Sequence, residues 1–259
     1  MFIQRRDVKA IQRRLQDGTV IYTPHGDRSS DGGYSSYHPW DRASLDSHIA
    51  GSSTFGHYLL DASDQVKLFA FDIDLEKIGW LPIDEEWSDF QPSTPREDWR
   101  VRQYVHQRSF IKYQFRTLAH LLMTAIEKEL DIQTAAAYSG GKGIHVYGFT
   151  GSVPAEDARD GAMIVLDSLG RFKPTRGVNF FQDENDDPAN GFKNLSIELF
   201  PKQNSLEGKD LGNLMRLPLG KNLRNPKDPT FFIDMTAPMA VLQPVEPVHA
   251  LTQHWLASA

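Results

Sequence analysis

The fold is decided by the segment KLFAFDID, residues 67–74. Side chains alternate between the two faces of a β-strand, so residues two apart lie on the same face. Phe69, Phe71 and Ile73 are apolar and share one face, whereas Asp72 and Asp74 share the other. The pattern predicts a strand that buries one face in the core and presents two carboxylates on the opposite face.

Two further regions are predicted to have the same property. A strand pair over 134–149 is joined by the glycine-rich turn GGKG at 140–143, and its second strand carries His145 on the face opposite its apolar residues. The strand at 195–200 carries Glu198 in the same way. If these strands belong to one sheet, Asp72, Asp74, His145 and Glu198 converge on one open face.

Such a set of side chains has a chemical meaning. Carboxylates at i and i+2, joined by a third from another strand, can bind the divalent ions of a two-metal site. The turn Ser139–His145 offers backbone N–H groups and Lys142 to phosphate oxygens, and Arg216 and Lys221 add positive charge. Each feature alone also has a structural interpretation. Asp-x-Asp is common at strand ends, and this turn lacks the GK[ST] of a P-loop.

The remaining helices and strands follow no strict alternation, which predicts an α+β (mixed α/β) fold. The predicted helices cover 3–15, 41–49, 99–130 and 154–170, and the predicted strands cover 19–22, 55–60, 67–74, 134–139, 144–149, 195–200, 214–218 and 231–234. Residues 25–39 are expected to form a loop and 81–98 to be irregular. We expect a single catalytic domain over 1–259, with the motifs within about 45–235 and a C-terminal tail at 236–259 that ends in a short helix.

The composition excludes several classes of protein. The chain has no cysteine, which rules out disulfides, a cysteine nucleophile and any zinc-thiolate site. A formal net charge of -6 argues against a histone-like coat on nucleic acid. No run approaches the roughly 20 apolar residues of a membrane helix, and the N-terminus does not resemble a secretory signal. A cytoplasmic protein without a membrane partner is expected.

The three strand motifs resemble those of archaeo-eukaryotic primase-polymerases. Phe71-Asp-Ile-Asp74 is similar to the first, metal-binding motif, Ser139–His145 to the second, and Ile197-Glu198 to the third. Two further elements, ELFPKQ at 198–203 and LGNLMRLPLG at 211–220, resemble one branch of this superfamily. That branch is found in phage and plasmid replication proteins, conflict systems and CRISPR-associated primase-polymerases.

The resemblance implies a fold, an activity and a set of site residues. The fold would be an N-terminal α/β unit and a C-terminal RRM-like unit with the active site in the cleft between them. Asp72, Asp74 and Glu198 would hold two Mg²⁺ or Mn²⁺ ions, and His145 would act with them in catalysis. The residues that the resemblance assigns to nucleotide binding are Ser139, Gly141, Lys142, Gly143, His145, Arg216 and Lys221. Many relatives have Asp at the third acid, and several carry a Cys-rich zinc element that this chain lacks.

The implied activity is a DNA primase-polymerase that makes or extends primers from NTPs or dNTPs in phage or plasmid replication. Its partners would be single-stranded template DNA, a primer, the nucleotide, and a helicase or other replication domain, fused or bound. A basic and aromatic segment supplies candidate template contacts at Arg100, Arg102, Arg108 and Lys112. The same segment could instead be an amphipathic helix with exposed arginines. A polymerase without priming activity, a metal-dependent nuclease and a non-catalytic RRM-like binder remain alternatives.

Overall fold

The computed structural model describes residues 3–76, 99–185, 191–192, 194–238, 241–247 and 249–250, and of residues 99–108 it describes the helical backbone alone. The described helices are α1 (Arg42–Ile49), α2 (Trp99–Leu130) and α3 (Ala155–Leu169). The described strands are β1 (Ala10–Arg14), β2 (Val20–Pro24), β3 (Gly26–Arg28), β4 (Tyr34–Tyr37), β5 (Phe55–Tyr58), β6 (Gln65–Leu75), β7 (Gln133–Tyr138), β8 (Gly143–Pro154), β9 (Phe172–Pro174), β10 (Phe180–Asp183), β11 (Leu195–Phe200), β12 (Leu214–Arg216), β13 (Phe231–Ile233) and β14 (Pro244–Val245).

A large sheet contains all the strands on which the sequence argument rests. Its order is β14-β13-β7-β8-β6-β11-β10-β9, so β6 lies between β8 and β11 and pairs antiparallel with both. The mixed α+β class is therefore confirmed. The expected strand pair β7 and β8 is confirmed too, and its connection is the predicted glycine-rich turn.

The core lies on one face of this sheet, beneath α2 and α3. Phe69, Phe71 and Ile73 of β6 are fully buried in it, as the alternation predicts. The stripe predicted on α2, which includes Phe115 and Leu122, is buried in the same cluster. Because this face is covered by helices, the opposite face of β6 is the one available for a site.

Caps mark the predicted start of α1 and both ends of α3. Asp41 accepts a hydrogen bond from the backbone N–H of Ser44 at 2.7 Å, which satisfies one free donor at the start of α1. Pro154 precedes the first turn of α3, and Gly170 ends it in the left-handed region at φ 63°.

The helix predicted over residues 3–15 is wrong. This segment contains β1, which lies between β2 and β5 in a small four-stranded sheet of order β12-β5-β1-β2. Ala10 and Gln12 are buried, whereas Leu15 is 43% exposed. The spacing of apolar residues is misleading because the buried face of β1 includes a polar side chain.

Other sequence-based predictions agree with the structure only in part or fall outside the described residues. The loop predicted over 25–39 contains the short hairpin β3–β4. Residues 81–98 and half of the C-terminal tail lie outside the described residues. Residues 247, 249 and 250 of the tail are helical, and the rest of its predicted helix lies outside the described part. The single-domain assignment stays a prediction. Within the described part of the chain, no helix has the length and apolar character needed to cross a membrane.

Candidate active site

The four ionisable residues predicted to converge do lie together on the open face of the large sheet. In the antiparallel register Asp72 lies directly opposite His145 on β8 and directly opposite Glu198 on β11. Asp74 lies two residues further along β6 on the same face, opposite Gly143. The site is thus built from three neighbouring strands, and the register alone places its side chains.

The glycine-rich turn closes one end of this face. The backbone N–H and the hydroxyl of Ser139 both donate to the carbonyl of Gly143, at 3.0 and 2.9 Å. Gly140 lies in the left-handed region at φ 68°, and the Tyr138 hydroxyl donates to the Gly141 carbonyl at 2.6 Å. The turn is therefore held by bonds at both of its ends, and Lys142 projects from its tip with 59% of its side chain exposed.

The ionised forms of Asp72 and Asp74 are destabilised by their surroundings. Burial, together with the negative charge of Glu198, raises the pKa of Asp72 to about 7. Burial and the charge of Asp72 also raise the pKa of Asp74. The side chain of Asp72 still keeps 26% of its surface exposed, so a ligand has access to it. A positive charge beside such a carboxylate stabilises its ionised form and lowers its pKa.

Positive side chains surround these carboxylates. Lys142 Nζ lies 3.8 Å from Asp74 Oδ2, and Lys202 forms an ion pair with Glu198. Arg216 on β12 donates to the carbonyl of Ser139, which attaches the small sheet to the turn. Arg216, Lys202 and Lys142 all lower the pKa of Asp72, in opposition to burial. The site therefore combines an acidic floor with a basic rim.

His145 is a neutral imidazole at physiological pH. Burial and the charge of Arg216 lower its pKa to about 3. Its Nδ1 lies 2.9 Å from the hydroxyl of Tyr147, and its Nε2 lies 3.4 Å from Asp72 Oδ1. Since burial keeps Tyr147 protonated by raising its pKa, the arrangement is satisfied when Tyr147 donates to Nδ1 and Nε2–H faces Asp72. His145 is then a hydrogen-bond donor toward the site.

Comparison with protein families identifies the chain. The model of the archaeo-eukaryotic primase domain of TOTE conflict systems matches residues 1–251. The chain belongs to this family. The resemblance in the sequence motifs is thereby confirmed, and the conflict-system primases are one of the groups that those motifs indicated. The archaeo-eukaryotic primases are a family of nucleotidyltransferases, the primase-polymerases.

Among solved structures, this primase domain is similar to the polymerase domain of Mycobacterium tuberculosis ligase D in complex with DNA. The two chains share 11% sequence identity, with a TM-score of 0.49 over 97% of this chain and 82% of that chain. No curated protein matches the sequence.

Membership of this family implies that the domain uses divalent metal ions, and its side chains include suitable ligands for them. As oriented, no group of three or more His, Asp or Glu side chains in the described part of the chain is ready to hold an ion. Asp74 and Glu198 face Lys142 and Lys202 instead, and Asp72 faces His145. The fit lies in the chemistry: three carboxylates on two paired strands supply the oxygen ligands that Mg²⁺ and Mn²⁺ prefer, and the raised pKa of Asp72 would fall beside a cation.

Two features of the site in this primase domain could not be predicted from the sequence. Lys202 stands within the ELFPKQ element that resembles the family, but only the ion pair with Glu198 shows that it faces the site. A buried amide network supports the turn from behind. Gln12 on β1 accepts from the N–H of Leu223 at 2.7 Å and donates to Asn222, and Asn222 donates to the Gly140 carbonyl at 3.1 Å. Nothing in the sequence around Gln12 signals this role.

Other predicted residues lie away from the carboxylates or outside the described residues. Lys221 is exposed, and its side chain lies beside Gly51. Lys112 is exposed on α2, whereas the side chains of Arg100, Arg102 and Arg108 lie outside the described residues.

The basic segment on α2 also contains a structural arginine. Arg116 is fully buried and donates to the carbonyl of Ala237, so its charge serves the core rather than a nucleic-acid surface.

Proposed function

We propose that this domain is a template-directed nucleotidyltransferase that makes or extends primers from NTPs or dNTPs. One observation carries the proposal. Asp72, Asp74 and Glu198 lie side by side on paired strands, next to His145 and beneath a glycine-rich turn with a basic rim. An acidic floor with adjacent cations suits a substrate that combines a divalent ion with a polyphosphate.

Asp72, Asp74 and Glu198 would hold Mg²⁺ or Mn²⁺. Bound there, the ions would lower the pKa of an attacking hydroxyl and stabilise charge on the leaving phosphate. The reaction would form a bond between the 3′-oxygen of a primer or first nucleotide and the α-phosphorus of the incoming nucleotide. The bond from that phosphorus to the pyrophosphate oxygen would break.

The protein's own residues would position the triphosphate. Ser139, Gly141 and Gly143 of the turn would border the phosphates, and Lys142 would add a charge at the tip, where 59% of its side chain is exposed. Arg216 is fixed beside the turn by its bond to the Ser139 carbonyl, and Lys221 is a further candidate at the periphery. We assign His145 the role of a neutral donor that orients a phosphate oxygen, because the imidazole is neutral and the Tyr147 hydroxyl at Nδ1 leaves the proton on Nε2.

Single-stranded DNA would be the template, with a primer as the second strand. We propose Arg100, Arg102, Arg108 and Lys112 on α2 as phosphate contacts, which makes binding weaker at higher salt. We propose further that the reaction serves a conflict system, in keeping with the family model. A role in phage or plasmid replication and a helicase partner stay predictions.

Primer extension tests the proposal. The double variant Asp72→Asn with Asp74→Asn removes two charges and keeps the shape of both side chains. Extension of a primed template in Mg²⁺ or Mn²⁺ is expected to fall by about 100-fold or more. Asp46→Asn, on the exposed face of α1, is the matched control and retains activity.

Two further reactions separate the alternatives. An unprimed template with labelled nucleotide distinguishes priming from extension alone. A labelled strand with metal but without nucleotide reveals any nuclease. Full extension by the double variant would refute the assignment of the carboxylates.

A further inference from the structure

The side chain of Lys202 is a positive group at the site that neither the motifs nor the family match assigns. It lies two residues beyond the end of β11 and forms an ion pair with Glu198, the carboxylate opposite Asp72. The pair is partly shielded, with 33% of the lysine side chain and 18% of the glutamate side chain exposed. The ammonium is therefore close to the acidic floor and still accessible from solvent.

The backbone and the ammonium group of Lys202 both have defined partners. Its N–H donates to Asn213 Oδ1 at 3.2 Å, and its carbonyl accepts from Asn179 Nδ2 at 3.1 Å. Its Nζ lies 4.7 Å from the ring centroid of Phe200 and 5.6 Å from that of Phe180. A lysine fixed in this way loses little additional freedom when its ammonium binds a ligand, in contrast to an ordinary surface ion pair.

We propose that Lys202 is a ligand of the nucleotide's phosphate chain and faces Glu198 only while the site holds no divalent ion. The inference rests on the proposed nucleotidyl transfer. A cation bound at Glu198 would repel the ammonium, since like charges at short range in a partly shielded site repel strongly. The anion nearest to both would be the triphosphate. Lys142, which faces Asp74 from the other side, would have the matching role across the site.

Lys202→Met is the variant that tests this inference, because methionine keeps an unbranched stem against Phe180 and Phe200 and removes only the charge. Lys202→Arg restores a positive charge. Lys128→Met is the matched control, since Lys128 is ion-paired with Glu129 on an exposed part of α2. Thermal unfolding of all variants confirms that they fold.

Calorimetric titration with dATP and with inorganic tripolyphosphate, both in Ca²⁺, measures the phosphate contact. Lys202→Met is expected to bind both ligands about tenfold more weakly or worse, because a charge-assisted hydrogen bond is lost. Lys202→Arg recovers part of the affinity, and Lys128→Met binds like the wild type. The affinity for Mn²⁺ alone is expected to stay the same or increase in Lys202→Met, because Glu198 is released.

Three results would overturn the inference, and they differ from one another. Unchanged affinity for tripolyphosphate in Lys202→Met would show that the ammonium does not reach phosphate, while the proposed function stands. A parallel loss of Mn²⁺ affinity would show that Lys202 only positions Glu198. If the wild type bound neither dATP nor tripolyphosphate, the proposed function itself would fail.

Discussion

Gly143 lies opposite Asp74 in the pairing of β8 with β6, and the carboxylate occupies the space that a side chain would need. A Cβ at this position would collide with Asp74 Oδ1 and would lie 2.6 Å from the carbonyl oxygen of Ile73. A glycine here is therefore required by the close approach of the Ile73 carbonyl, which cannot move aside, and any larger residue would also displace the Asp74 carboxylate.

Replacing Gly143 by alanine should disturb both the site and the strand pairing around it. We expect Gly143→Ala to displace Asp74, to reduce primer extension at least tenfold and to cost about 1–3 kcal/mol of unfolding free energy. Gly161→Ala in α3 is the control, because its methyl group meets a flexible leucine tip at 3.3 Å and the helix gains from alanine. Wild-type activity in Gly143→Ala would contradict the steric argument.

Strand alternation predicts the carboxylates because their neighbours are apolar. Each of the four ionisable residues lies between apolar residues of its strand, which therefore point to the opposite face. That alternation assigns a face to Asp72, Asp74, His145 and Glu198 without a structure. Basic residues carry no such signal. Arg116 belongs to a basic segment of the sequence yet is fully buried, because long side chains can reach backbone carbonyls from many positions.

Prediction at the scale of elements succeeds where the apolar pattern and the caps agree. The helices α1, α2 and α3 and the central strands β6, β7, β8 and β11 were all predictable for this reason. The strand β1 was not, because its buried positions include Gln12, whose partners lie more than 200 residues away. A contact at such separation leaves no periodic trace in the sequence.

The amide network from β1 to the glycine-rich turn has a kinetic consequence. Gln12→Ala removes two hydrogen bonds to residues 222 and 223, each worth about 1 kcal/mol, and so loosens the support beneath Gly140. We expect the KM for the incoming nucleotide to rise about fivefold to tenfold, with a smaller change in kcat. Gln16→Ala, at an exposed position beyond β1, should leave both constants unchanged. A fall in kcat at constant KM would exclude a role in nucleotide positioning.

At the scale of the whole molecule, the distribution of charge matters more than its sum. The net charge of -6 argues against a coat on nucleic acid, but the cations of the site are concentrated around its carboxylates. Several histidines, in contrast, are buried as neutral groups. His48 accepts from the N–H of Phe55 through Nδ1 and contacts the Pro218 carbonyl through Nε2, both at 3.0 Å. Burial lowers the pKa of His48 and brings that of His57 to about 4.

These histidines should make the protein less stable in mild acid. Below pH 6.5 these three histidines are protonated in the unfolded chain, whereas buried His48, His57 and His145 stay neutral in the folded protein. The free energy of unfolding therefore decreases as the pH decreases. Asp72 and Asp74 act in the opposite direction, because their raised pKa values let the native state keep protons that the unfolded chain releases above about pH 4. Three histidines outweigh two acids. The net expectation is a loss of stability between pH 6.5 and 5.

Urea unfolding at pH 7, 6 and 5, in chelator to remove divalent ions, measures this slope. His57→Gln removes one of the groups that takes up a proton on unfolding, so its slope should be shallower by up to about 1.4 kcal/mol per pH unit, whatever its absolute stability. His120→Gln, at an exposed position on α2, should keep the wild-type slope. A stability that is flat from pH 7 to 5, or a slope that His57→Gln leaves unchanged, would show that the protons are taken up elsewhere. The slope therefore tests the burial of these histidines directly, independently of any assay of catalysis.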